Sequence, residues 1–116
     1  MYGLGSLVTL PAGAVRTLLM GTRDEDSVVA QVAYLALESR PGTDFDDMDW
    51  YALLYSIARA LRSGDARSRW AAAHSVCRLL PGAPAAAVTS ALLQARDSLA
   101  SDTSFLVRSA ALGRAA

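Results

Sequence analysis

Lysine and asparagine are missing from this chain altogether, and isoleucine, histidine and cysteine occur once each, as Ile57, His74 and Cys77. Each absence narrows the field. A lone cysteine excludes an intrachain disulfide and fits a reducing compartment. One His, two Glu and no Lys leave a thin inventory for acid–base or nucleophilic catalysis, so the expectation is a non-enzyme that needs no cofactor. Every basic side chain is Arg, a pattern that fits a GC-rich coding genome better than any chemistry. With a formal net charge of +0, the electrostatic term behind nucleic-acid binding is weak. No apolar run reaches the roughly 20 residues that a membrane span needs. The apolar start MYGLGSLVTLPAGAVRTLLMG has no positive leading region and is interrupted by Pro11 and Gly13. A soluble, cytoplasmic protein with no membrane association is the expectation.

What is present points to helices. The 116 residues suit one domain, taken as 1–116, and 53% hydrophobic residues are enough to fill a core. Ala, Leu, Arg and Ser dominate, β-branched residues other than Val are few, and apolar residues recur at helical spacing throughout, so the fold class is all-α. Charge is uneven along the chain. Between Thr22 and Trp50 eight acids face Arg23 and Arg40, a net of −6; from Arg59 onward eight arginines face Asp65, Asp97 and Asp102, a net of +5. Such polarity bears on partners more than on fold.

The chain also repeats itself. Placing Asp24, Ser63 and Asp102 in register gives an offset of 39 residues each time. Asp26 then matches Asp65, Val29 matches Val107, Arg69 matches Arg108, and Ala33 matches Ala72 and Ala111. Leu53 and Leu54 likewise precede Leu92 and Leu93 by 39. LESRPG at 37–42 and RLLPG at 78–82 read as helix stops. A period near 40 with helical spacing inside each unit is the mark of stacked helix pairs. The register predicts six helices, about 11–20, 25–39, 47–62, 65–80, 84–100 and 103–115. The first and last belong to incomplete end repeats, and Asp26, Asp46 or Asp47, Asp65 and Asp102 are the candidate caps.

On these residues the chain resembles the HEAT repeats, whose first helix often opens with an Asp-rich turn followed by Val-Arg and then Ala and Leu at helical spacing. DTSFLVRSAAL at 102–112 is the best copy. DEDSVVAQVAYLAL at 24–37 has Ala30 where the Arg is usual, and SGDARSRWAAAHSV at 63–76 has Ser68 in the Val slot. The resemblance covers about 22–116 and implies a short right-handed α-solenoid. It also implies that Arg69 and Arg108 are structural and that the second helix of each pair lines a concave surface. The His-Glu pairs of the iron-binding HEAT enzymes are not found here.

DFDDMDWYALLY, Asp44 to Tyr55, is the stretch most suggestive of a site. As an EF-hand loop it fails, because its sixth place is Asp49 rather than Gly and its twelfth is Tyr55 rather than Glu. Helix capping and the positive end of the helix dipole explain at least two of the acids. On the helix that follows, Leu54, Ile57, Ala58 and Leu61 form an apolar stripe with Trp50 and Leu53 beside it. Tyr51, Tyr55, Arg59 and Arg62 share another face. Asp44, Asp46, Asp47, Asp49, Tyr51, Tyr55, Arg59 and Arg62 are therefore the candidate partner-binding residues, since Tyr and Arg are enriched where interfaces are strongest. Arg16, Tyr55 and Gln94 would stand in a row across neighbouring repeats.

His74 and Cys77, three apart, would form half of a zinc site, but the chain has no second His or Cys to complete it. The glycines at 3 and 5 follow no strand and make no phosphate loop. The functional expectation is thus a protein-binding module with a protein partner, in its sharper form an inhibitor or immunity-type protein whose acidic-aromatic face covers a basic site. The alternatives are self-assembly through the incomplete ends and, more remotely, nucleic-acid binding.

Overall fold

The computed structural model describes residues 13–41 and 44–113. Six α-helices and no strand occur among them: α1 Gly13–Gly21, α2 Ser27–Glu38, α3 Asp47–Leu61, α4 Ala66–Leu79, α5 Ala86–Leu99 and α6 Phe105–Ala111. The stretches around Gly3 and Gly5, Pro11, Gly42 and Arg114 lie outside the described residues.

The 39-residue offset is visible as one turn built three times. Ahead of α2, α4 and α6 a side chain accepts the amide two residues on: Asp24 from Asp26 at 2.8 Å, Ser63 from Asp65 at 3.1 Å and Asp102 from Ser104 at 2.9 Å. The third residue of each turn, the one whose amide is held, is then the N-cap. Asp26 accepts from the Val28 amide, Asp65 from Arg67 and Ser104 from Val107. These bonds satisfy amides that the first helical turn leaves unpaired, about 1 kcal/mol for each cap. The last cap is thus Ser104 and not Asp102, because Asp102 is committed to the turn before it. The Asp65 carboxyl sits below its ordinary pKa, chiefly because it accepts the Arg67 amide.

Helices alternate between two layers. α4 packs beside both α2 and α6, and α3 packs beside both α1 and α5, with α1 on α2, α3 on α4 and α4 on α5 across the layers. Gly21 permits the first of these crossings, since a Cβ there would lie 3.0 Å from that of Ala33. The Cα radius of gyration, 13.4 Å, is that of a compact domain of this length.

The main core gathers Trp50, Tyr34, Leu19, Leu37, Leu53, Ile57, Val76 and Leu92. A smaller cluster of Ala73, Leu99, Val107, Ala110 and Ala111 lies between α4, α5 and α6. On α3 the deeply buried line is Trp50, Leu53, Ile57 and Ala60; the expected stripe was misplaced by one row, and Leu54, Ala58 and Leu61 are only half-buried along the α5 side. A helix with neighbours on two sides and a layer beneath it buries more than one stripe, which a single-stripe reading misses.

Candidate functional site

The site predicted on α3 divides in two. Its acids are occupied in building the helix. Asp46 is the N-cap and forms a reciprocal capping box with Asp49: the Asp49 amide donates to Asp46 at 2.8 Å and the Asp46 amide to Asp49 at 3.0 Å. Arg16 of α1 lies 3.7 and 3.8 Å from these two carboxylates, and Asp49 is buried. Asp44 accepts from Arg40 Nη2 at 2.6 Å. Asp47 alone of the four is exposed and in no ion pair among the described residues.

The aromatic half is free. Met48, Tyr51 and Tyr55 are 70%, 60% and 56% exposed, and with Arg59 and Arg62, also exposed, they run along the outer side of α3, opposite Leu53 and Ile57. Arg23 is folded over Tyr55, its guanidinium carbon 4.8 Å from the ring centre, while its Nε donates to Ser56 Oγ at 3.1 Å. Arg16 and Gln94 are exposed on the flanking helices α1 and α5, but Arg16 reaches Asp46 and Asp49 at the start of α3, and the arginine that meets Tyr55 is Arg23. Met20 on α1 adds a further exposed apolar side chain to this layer, one that reading α3 by itself missed.

Beside the stripe lies a cleft of about 310 Å³ between the layers, lined among others by Arg23, Arg59, Arg62, Ser56, Ala30 and Tyr34. The Tyr34 hydroxyl is buried without an aligned hydrogen-bond partner. Thr22 beside it donates to the Leu19 carbonyl at 2.6 Å and lies 2.9 Å from Ser56 Oγ. Burial pushes the Tyr34 phenol far above its ordinary range, against the pull of Thr22, Arg23 and Arg59. Three arginines against the one acid, Asp24, with several hydroxyls around an open volume, suit a carboxylate better than a cation.

His74 and Cys77 meet different partners. His74 Nδ1 lies 2.7 Å from Glu38 Oε1 but out of line for a good hydrogen bond, and the imidazole stacks on Trp70 at 5.0 Å. The half-buried Cys77 thiol lies 3.0 and 3.3 Å from the carbonyls of Ala111 and Ala110, and burial raises its pKa. No cluster of three or more His, Cys, Asp or Glu side chains able to hold a metal ion occurs among the described residues. Nor is any helix there long and apolar enough to cross a membrane. Compared with protein-family models, curated proteins and solved structures, the chain finds no match.

Proposed function

We propose that this chain is a short HEAT-like α-solenoid acting as a non-enzymatic protein-binding module, with the outer side of α3 as its contact surface. The observation that carries the reading is the Met48, Tyr51, Tyr55 stripe, more than half exposed on a regular, well-capped helix. Large aromatic side chains held this way lose little conformational freedom on binding and supply much contact area. The repeated turn before α2, α4 and α6, and the side-by-side packing of alternate helices, support the solenoid.

The partner's chemistry follows from which charges are free. Asp44, Asp46 and Asp49 already have arginine or capping partners, whereas Arg59 and Arg62 have no carboxylate among the described residues. The partner therefore presents an apolar segment for the tyrosines and an acidic side chain for the arginine-lined cleft. In the inhibitor version the covered site has an acidic rim that meets Arg59 and Arg62, and Asp47 lies away from that rim at the start of α3.

The test uses the chain as bait in lysate of its source cells beside Tyr51→Ala/Tyr55→Ala, Arg59→Glu and Asp47→Arg/Tyr55→Ala, with melting curves for each. The reading expects one protein bound by wild type, lost with the tyrosines and weakened by Arg59→Glu, at unchanged melting temperature. Identical captures by wild type and the tyrosine variant would refute it.

A further inference from the structure

We propose that a second copy of this chain stacks head to tail on the first, α2 of one molecule docking on α6 of the other and α1 docking on α5. The inference rests on the solenoid reading but not on the tyrosine face, so stacking and partner binding are tested separately.

The template is the junction between α4 and α6 inside the chain. There Ala73 is fully buried against Val107, Ala110 and Ala111. Arg69 clamps the two helices: its Nη1 donates to the Ser63 carbonyl at 2.7 Å, and its Nε and Nη2 reach Asp102 at 2.8 and 3.3 Å. The repeat register, 39 residues on for the tail and twice that back for the head, gives the groups that would make the same junction between copies. On the tail, Leu112 takes the place of Ala73 and Arg108 that of Arg69. On the head, Val29 and Val32 take the places of Val107 and Ala110, and Asp24 that of Asp102.

Val29, Val32, Leu112 and Asp24 lack the cover that their equivalents have. Val32 is 60% exposed where Ala110 is 5%, and Leu112 is 50% exposed where Ala73 is 0%. Arg108 repeats half of the clamp, its Nη1 donating to the Asp102 carbonyl at 2.7 Å, but its other nitrogens meet no carboxylate among the described residues. Asp24 is exposed and accepts only the Asp26 amide there. An apolar face with a spare carboxylate at one end matches an apolar face with a spare guanidinium at the other.

Helix order fits as well. Because α1 and α6 belong to opposite layers, α1 of the second copy follows α6 as α3 follows α2, and neither layer is interrupted. Exposed Asp24, Glu25 and Asp26 crowd the head, so a two-fold dimer that joined heads would set acids against acids. A head-to-tail contact is heterologous and grows until it closes or runs out of protein.

Sedimentation equilibrium on the full chain across a wide concentration range tests this. Wild type should exceed dimer mass as concentration rises. A head-blocked variant, Asp24→Arg/Val32→Arg, and a tail-blocked variant, Arg108→Glu/Leu112→Glu, should each remain monomeric, and an equimolar mixture of the two should give a one-to-one dimer and nothing larger. Leu112→Glu by itself serves as the tail block if the Arg108 change lowers the melting temperature. Wild type that stays monomeric, blocked variants that still dimerise, or folded blocked variants that ignore each other would overturn the proposal.

Discussion

The junctions α4–α6 and α2–α4 occupy the same place in successive repeats and are held by different chemistry. Between α4 and α6 small apolar residues pack closely and Arg69 ties both helices through Asp102 and the Ser63 carbonyl. Between α2 and α4 the residue in the Arg slot is Ala30 and the one in the Asp slot is Ser63. The volume that an arginine would fill is left open: the cleft is lined by Ala30, Asp24 and Ser63, the register equivalents of Arg69 and its surroundings. Tyr34 closes the α2 side instead, fully buried, and Ser75 donates to Glu38 at 2.7 Å. One repeat spends its arginine on the frame; the other, lacking it, has an arginine-lined cleft beside the tyrosine stripe.

If that contrast is right, the two junctions should fail differently. Tyr34→Ala should be the most damaging change, costing about 3–5 kcal/mol, because an aromatic ring leaves a site that cannot collapse around it. That is a large part of the roughly 5–15 kcal/mol typical of a whole domain. Urea denaturation would measure it, and a loss under about 1 kcal/mol would mean that the α2–α4 junction does not depend on the ring.

Asp102→Ala comes next, at about 1.5–3 kcal/mol, since it strips Arg69 of its carboxylate and the Ser104 amide of its acceptor. Burial alone would raise the Asp102 pKa, but the bonds from Arg69 and the Ser104 amide outweigh it and hold the carboxyl below its ordinary range. Its contribution is therefore present above the unfolded-state pKa and is lost as pH falls through the lower folded-state value. Stability of wild type measured from neutral pH into the acid range should fall more steeply than that of Asp102→Asn. Parallel curves would remove the ion pair from the account.

The missing clamp can also be installed. Ala30→Arg alone adds a guanidinium beside Arg23, Arg59 and Arg62 and should destabilise. Combined with Ser63→Asp, which keeps the turn because Asp24 and Asp102 already serve there, it should recover stability. The coupling expected is about 1 kcal/mol or more, within the usual 0.5–3 kcal/mol for contacting residues. A double-mutant cycle in urea with no coupling would show that the cleft is not the vacated slot.

Much of this frame was legible in the residues. The six helices and the 39-residue offset follow from apolar spacing and the recurring Asp or Ser turn, both local signals. Asp26, Asp46 and Asp65 were foreseeable as caps for the same reason. Ser104 was missed because two polar residues two positions apart, Asp102 and Ser104, compete for one role, and Asp102 is held by Arg69 from 33 residues away. The acids of DFDDMDWY looked like a surface because a capping box and the reach of Arg16 are three-dimensional facts. The cleft arises where Ala30 stands in the Arg slot; that replacement was legible in the repeat, but the volume it leaves depends on side chains from α3 and α4 that no local pattern places.

The gentlest probe of the comparison is chemical. Cys77 sits on α4 under the carbonyls of Ala110 and Ala111, so α6 has to move before a reagent reaches the sulfur freely. Because alkylation uses the thiolate and burial raises this thiol's pKa, modification near neutral pH should be several-fold slower than for a free thiol. Asp102→Ala loosens α6 and should bring the rate toward that of the unfolded chain, while Tyr34→Leu, which removes the ring from the other junction, should leave it unchanged. The two junctions open separately if only the first variant accelerates labelling. Equal acceleration by both would mean that the repeats open as one cooperative unit, and the contrast drawn from their chemistry would then not extend to their dynamics.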